Sequence, residues 1–130
     1  MNVDELINKQ YPSDIKELSN FDTLGFIDIP MYSIKYIQAI DYLMIEKNKL
    51  LYKLGEEEKR LRSYYKYDYI DDVLKSTEIK DRIKDDTNDL RNEIVDVDRK
   101  LLIVNEILKE IRQLVWIAKQ QSEFIKLREV

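Results

Sequence analysis

The sequence predicts an all-α protein: a long antiparallel helical hairpin, coiled-coil-like, preceded by a short N-terminal helical arm. Three observations carry this. The 130 residues include only 2 Gly and 2 Pro, too few to punctuate a turn-rich sheet protein. Charged residues make up 37% and hydrophobic residues 44%, a balance that suits long amphipathic helices. Two long stretches then space apolar residues alternately three and four apart, the 3.5-residue repeat of helices packed lengthwise. The length is one domain's worth, or a protomer that shares its core with copies of itself.

Residues 1–29 read as a loosely packed arm, with Val3, Leu6 and Ile7 marking one short helical piece and Ile15 with Leu18 a second. Residues 30–130 hold the hairpin. Pro30 is placed to open its first helix, because a fixed φ suits the first turn and the missing N–H would be an orphan there. The repeat then runs through Ile37, Ile40, Met44, Leu51, Leu54, Leu61 and Tyr65, interrupted by Lys47 and Glu58, with a weaker row of Tyr36, Leu43 and Leu50 beside it. Gly55 lies inside this helix at a cost of about 1 kcal/mol relative to Ala, which predicts a bend or a close helix contact. Tyr67 to Asp72 loses the helical period and reads as the turn, with Asp72 or Ser76 as the next N-cap.

The second repeat is stronger: Ile83, Thr87, Leu90, Ile94, Val97, Leu101, Val104, Leu108, Ile111, Val115, Ala118, Ser122 and Ile125 keep one spacing without a slip. Unbroken, it would extend roughly 60 Å at 1.5 Å per residue. A short connection makes the two helices antiparallel neighbours.

Several function classes are disfavoured. With no His and no Cys, the usual nucleophile–base pairs, a disulfide framework and thiolate metal sites are absent, and no Gly-rich phosphate loop is present. A non-enzyme without cofactors is expected. Asp71, Asp72, Asp85, Asp86 and Asp89 lack the loop spacing of a calcium site and read as caps and solvated charge. The N-terminus lacks a basic start and an apolar run, and no apolar stretch approaches the ~20 residues of a membrane span. A soluble intracellular protein is expected.

The C-terminal half carries a second apolar row, Ile103, Ile107, Leu114, Ile117 and Phe124, with Trp116 near it. One partner helix covers a face of only about 100°, so these residues predict an interface with other copies of the chain. The alternative is that the arm, with Phe21, Leu24 and Phe26, folds over them.

The segment Lys59 to Tyr69 gathers Tyr64, Tyr65, Tyr67 and Tyr69 among Lys59, Arg60, Arg62 and Lys66, in a chain of net charge −4. Cations beside aromatic faces suit single-stranded nucleic acid, whose phosphates take the charge and whose unstacked bases take the rings. The competing reading pairs these cations with Glu56, Glu57 and Glu58 along the helix and folds the tyrosines back on a core. Lys84, Arg91, Arg112, Lys119 and Lys126 share one edge of the long helix and read as a solvated face with interhelical salt bridges.

The run Lys59-Arg60-Leu61-Arg62-Ser63-Tyr64-Tyr65, followed by Lys75-Ser76, Ile79-Lys80 and Trp116-Ile117-Ala118-Lys119, resembles the UvsY family of recombination mediators from large tailed bacteriophages. The resemblance covers roughly residues 30 to 127 and rests on order, spacing and length together. It departs at Lys66-Tyr67, where a glycine commonly follows the tyrosines, and at Leu114-Val115. It implies an all-helical homo-oligomeric ring of about six or seven subunits in the cytoplasm of a host cell, binding single-stranded DNA. It further implies a role in DNA recombination and repair: helping a RecA-like recombinase displace single-strand-binding protein. The implied DNA contacts are Lys59 with either Arg60 or Arg62, supported by Tyr64, Tyr65, Lys66 and Tyr67. A structural coiled-coil scaffold or protein–protein adaptor without DNA binding is the alternative.

Overall fold

The computed structural model describes residues 1–19, 31–68 and 76–128. These residues are almost entirely helical, with no strand among them. In chain order they form α1 (Val3–Glu5), one π-helical turn (Leu6–Gln10), α2 (Tyr11–Ser19), α3 (Met31–Asp68), α4 (Ser76–Asp86) and α5 (Asn88–Arg128). The expectations for Phe21, Leu24, Phe26 and Pro30 lie outside the described residues, as does the turn expected over Tyr67 to Asp72 from Tyr69 on; Tyr67 and Asp68 instead continue α3. The chain divides into two compact units, Met1–Leu43 with Lys100–Val130, and Met44–Arg99.

In the first unit residues 1–19, where the sequence predicts the start of a loosely packed arm, are tied down by side-chain bonds. Asn2 caps α1 by accepting the Glu5 backbone N–H at 3.1 Å. Asp14 of α2, only 1% exposed, accepts from the Tyr36 hydroxyl at 2.7 Å and from the Gln10 amide at 2.9 Å, and it pairs with Lys35 at 3.2 Å. A carboxylate removed from water survives because donors converge on it. The Tyr11 hydroxyl donates to Glu110 of α5, and Lys100 pairs with Asp4 at 3.5 Å. Val104, Leu108, Ile111 and Ala118 of α5 are buried here, as their repeat predicts.

In the first part of α3 the two apolar rows exchange roles, while Leu61 and Tyr65 of the expected main stripe are buried farther along. Tyr36, Ala39 and Leu43 are buried, whereas Ile37, Met44 and Leu51 of the expected main stripe are exposed. The rows lie one residue apart, about 100° around the axis, and both keep the heptad spacing. Tyr36 decides between them in the first unit, since its hydroxyl reaches Asp14, and Ala39 beside it leaves room for close packing.

In the second unit, Leu61 and Tyr65 of α3 form a small core with Ile83 of α4, and Ile79 packs against it. The polar interruptions of the repeats are cross-helix bonds: Lys47 pairs with Asp98 at 2.7 Å and Glu58 with Arg91 at 2.7 Å. Thr87 breaks the expected continuous run between α4 and α5. Its hydroxyl donates back to the Ile83 carbonyl at 2.7 Å, a bond that competes locally with the helical ladder. The backbone still bonds across the break, Thr87 N–H to Ile83 and Arg91 N–H to Thr87, each at 3.0 Å. Gly55 has a negative φ and a Cβ built there would meet nothing within 4 Å, so the close contact expected at this glycine is not made among the described residues.

Candidate nucleic-acid interface

The basic–tyrosine segment belongs to the last turns of α3, which continues to Asp68. Helical geometry therefore sorts residues that sequence places side by side. Lys59, Arg62 and Lys66 stand at i, i+3 and i+7, so they share one face, and all three are exposed. Lys59 takes part in none of the ion pairs among the described residues. Arg62 is 71% exposed and reaches Glu58 only at 3.8 Å, because Glu58 is engaged more closely by Arg91.

Arg60 points elsewhere. It grips Glu57 with two nitrogens, Nε at 3.2 Å and Nη2. Hydrogen bonding to Arg60 holds the Glu57 carboxyl below its ordinary pKa, and the same contact raises that of the guanidinium. Arg60 thus follows the alternative of internal pairing.

The tyrosines divide as well. Tyr65 is 9% exposed, against Leu61 and Ile83, and its hydroxyl donates to Asp86. The Arg82 guanidinium lies 6.0 Å from its ring centroid. Its ring is thus built into the core because Tyr65 stands four residues beyond Leu61, on the buried stripe, and it has no face to offer a base. Tyr64 is exposed and meets the edge of Tyr65 at 5.3 Å between centroids. It lies five residues from Lys59, about 140° around the helix at 100° per residue. The side chain of Tyr67 lies outside the described residues.

The expected interface row sits in the first unit. Ile103, Trp116, Ile117 and Phe124 are exposed, Trp116 by 62%, and Leu114 is half-buried. Ile107 departs from the row: it is buried and lines a groove with Tyr11 and Ile103, where the tie from Tyr11 to Glu110 holds α2 beside it.

Among the described residues no three carboxylates are grouped to hold a metal ion, and no helix is long and apolar enough to cross a membrane. What fold and site define is an all-helical protein of long helices, with an exposed row of cations near the end of α3. No protein-family model, curated protein or solved structure matches the chain. Sequence reasoning missed the split between the face of Lys59, Arg62 and Lys66 and the face of Arg60 and Tyr64. The signal was available in the heptad count, once α3 is carried through to Asp68.

Proposed function

We propose that the chain is a homo-oligomeric single-stranded DNA-binding accessory protein that acts by holding and presenting DNA, with no chemistry of its own. The observation that carries this reading is the pair Lys59 and Arg62, exposed on one face, with Lys59 in none of the ion pairs among the described residues and Arg62 held only by Glu58 at 3.8 Å, while the neighbouring Arg60 and Arg91 are engaged more closely with carboxylates. Phosphates neutralised by that pair would release counterions, so binding is strongly salt-dependent and nearly indifferent to sequence. In this reading α3 pairs with α4 and α5 as an antiparallel hairpin. It is supported by contacts that rise along α3 and fall along the others: Lys47 with Asp98, Glu58 with Arg91, Tyr65 with Asp86.

Self-association is supported by the exposed Ile103, Trp116, Ile117 and Phe124, and several copies would multiply a modest basic patch. The ring form, the recombinase-loading role and the displacement of single-strand-binding protein come from the resemblance to the UvsY family. Of the two arginines that resemblance leaves open, the geometry favours Arg62 as the partner of Lys59.

Fluorescence anisotropy with a labelled poly-dT strand tests the reading. Lys59→Ala with Arg62→Ala should weaken binding and lower the slope of log K against log salt by about 1.4, two contacts at about 0.7 each, with oligomer size unchanged. Unaltered affinity in the double variant would sink the assignment. The scaffold reading is favoured by the pairing of Arg60 with Glu57 and of Arg91 with Glu58, and it requires that poly-dT fail to bind even at low salt.

A further inference from the structure

Gly55 presents a problem that the chain itself does not solve. It sits in the interior of a 38-residue helix, where glycine is unfavourable because its backbone loses the most freedom on folding. Its φ is not positive, so no left-handed turn requires it. A Cβ would meet nothing within 4 Å, so no packing among the described residues requires it either. What remains is the surface it leaves bare.

That surface has a defined neighbourhood. Tyr52, Gly55, Lys59, Arg62 and Lys66 recur at alternate spacings of three and four, which places them along one side of α3. All are exposed, and Tyr52 by 73%, a large aromatic with its ring in water. The row runs roughly 20 Å at 1.5 Å per residue. Three cations lie toward one end, bordered by Glu56 and by Glu58, which reaches Arg62 at 3.8 Å. Toward the other end Tyr52 edges a shallow groove shared with Ile45, Glu46, Asn48, Lys49, Leu50 and Lys53, where Lys49 pairs with Glu46 at 3.8 Å. The chain thus offers charge for phosphates, a gap in the side-chain surface, then an aromatic face.

We propose that Tyr52, rather than Tyr64 or Tyr65, is the base-stacking residue of the single-stranded DNA site, and that Gly55 keeps the path between it and Lys59 clear for the sugar–phosphate chain. The inference rests on the DNA-binding reading above and sharpens it. A strand whose phosphates lie on Lys59 and Arg62 reaches Tyr52 along the same face, whereas Tyr65 is in the core and Tyr64 is turned to the flank. Three cations in line with an exposed ring match a strand that alternates phosphates with unstacked bases, which commits this face to single-stranded DNA rather than to a second copy of the chain.

The test uses the full-length protein, a labelled poly-dT strand and a salt series. Tyr52→Ala should weaken binding about tenfold, the loss of one stacked base, with the salt slope unchanged because no phosphate contact is lost. Tyr52→Phe should bind like the parent, and Tyr64→Ala should change affinity less than twofold. Gly55→Leu should weaken binding comparably while raising Tm by a few degrees, since leucine is the better helix former. Parental affinity in both Tyr52→Ala and Gly55→Leu overturns the inference, and it does so without touching the DNA-binding reading if Lys59→Ala with Arg62→Ala still weakens binding. Failure of the parent to bind poly-dT at low salt removes both. A changed sedimentation size in Gly55→Leu with unchanged affinity also overturns it, and assigns this face to contact between copies.

Discussion

Two tyrosine–aspartate bonds, one in each unit, use the same chemistry in opposite settings. In the first unit the Tyr36 hydroxyl donates to Asp14 with both residues sealed from water, and Lys35 and Gln10 complete the carboxylate's partners. In the second, Tyr65 donates to Asp86, but that carboxylate is exposed and the core beneath is a handful of residues. The first bond is a lock whose loss strands a buried charge or hydroxyl. The second fixes an aromatic ring and leaves the surrounding surface wet and charged. An unmade buried bond is costly while an exposed one is exchanged for water, so the same pair marks a structural point in one unit and a surface open to a ligand in the other.

The contrast breaks most visibly at Asp14. Asp14→Ala should cost about 3 kcal/mol in urea unfolding, because the Tyr36 hydroxyl is left buried without its acceptor and Lys35 loses its partner. Tyr36→Phe, which leaves the carboxylate two donors, should cost about 2 kcal/mol. Tyr65→Phe should cost about 1 kcal/mol or less, since Asp86 can turn to water. Equal losses at Tyr36 and Tyr65 would show that the two settings are not distinct.

Alkaline titration sharpens the same difference. Burial, then the bond to Asp14, pushes the Tyr36 phenol far above its ordinary value. The bond to Glu110, then burial, pushes Tyr11 up to about 12 from the usual 10.0. Both are raised in the folded state, so the stability they contribute is complete below pH 10 and drains away as pH rises from there through the folded-state values. Tyrosinate absorbance should therefore show these two hydroxyls ionising late, together with loss of helix. Full ionisation of all 9 tyrosines near pH 10 with helicity intact would contradict the sealed setting. The smallest effect is expected at Arg60→Ala, whose exposed pairing with Glu57 should leave Tm essentially unmoved.

Much of the fold is legible in the sequence, for reasons that differ by element. The α5 stripe is readable because Val104, Leu108, Ile111 and Ala118 stand where the repeat has one strong register. The first part of the α3 stripe misleads, while its later members Leu61 and Tyr65 are buried as read: Ile37 and Tyr36 begin two heptad rows of similar strength, and the choice is made by Asp14, a long-range partner that no local pattern announces. Thr87 reads as a polar place in an apolar row, but its bond to the Ile83 carbonyl, at the junction of α4 and α5, is visible only in three dimensions. At the candidate site, residue types were legible and their faces were not. Lys59 and Tyr64 are close in sequence and far apart around a helix, whereas Tyr52 is distant in sequence and lies along the same side.

The central claim is that the open side of α3 is where single-stranded DNA lies. Photo-cross-linking with an oligo-dT strand carrying 5-iodouracil, followed by peptide mapping, tests it most directly. Adducts should fall on α3 between Tyr52 and Lys66, with Tyr52 the principal site, and should vanish at high salt. Adducts confined to Trp116 or to the α5 edge at Arg112 and Lys119, or no adduct at low salt, would contradict it.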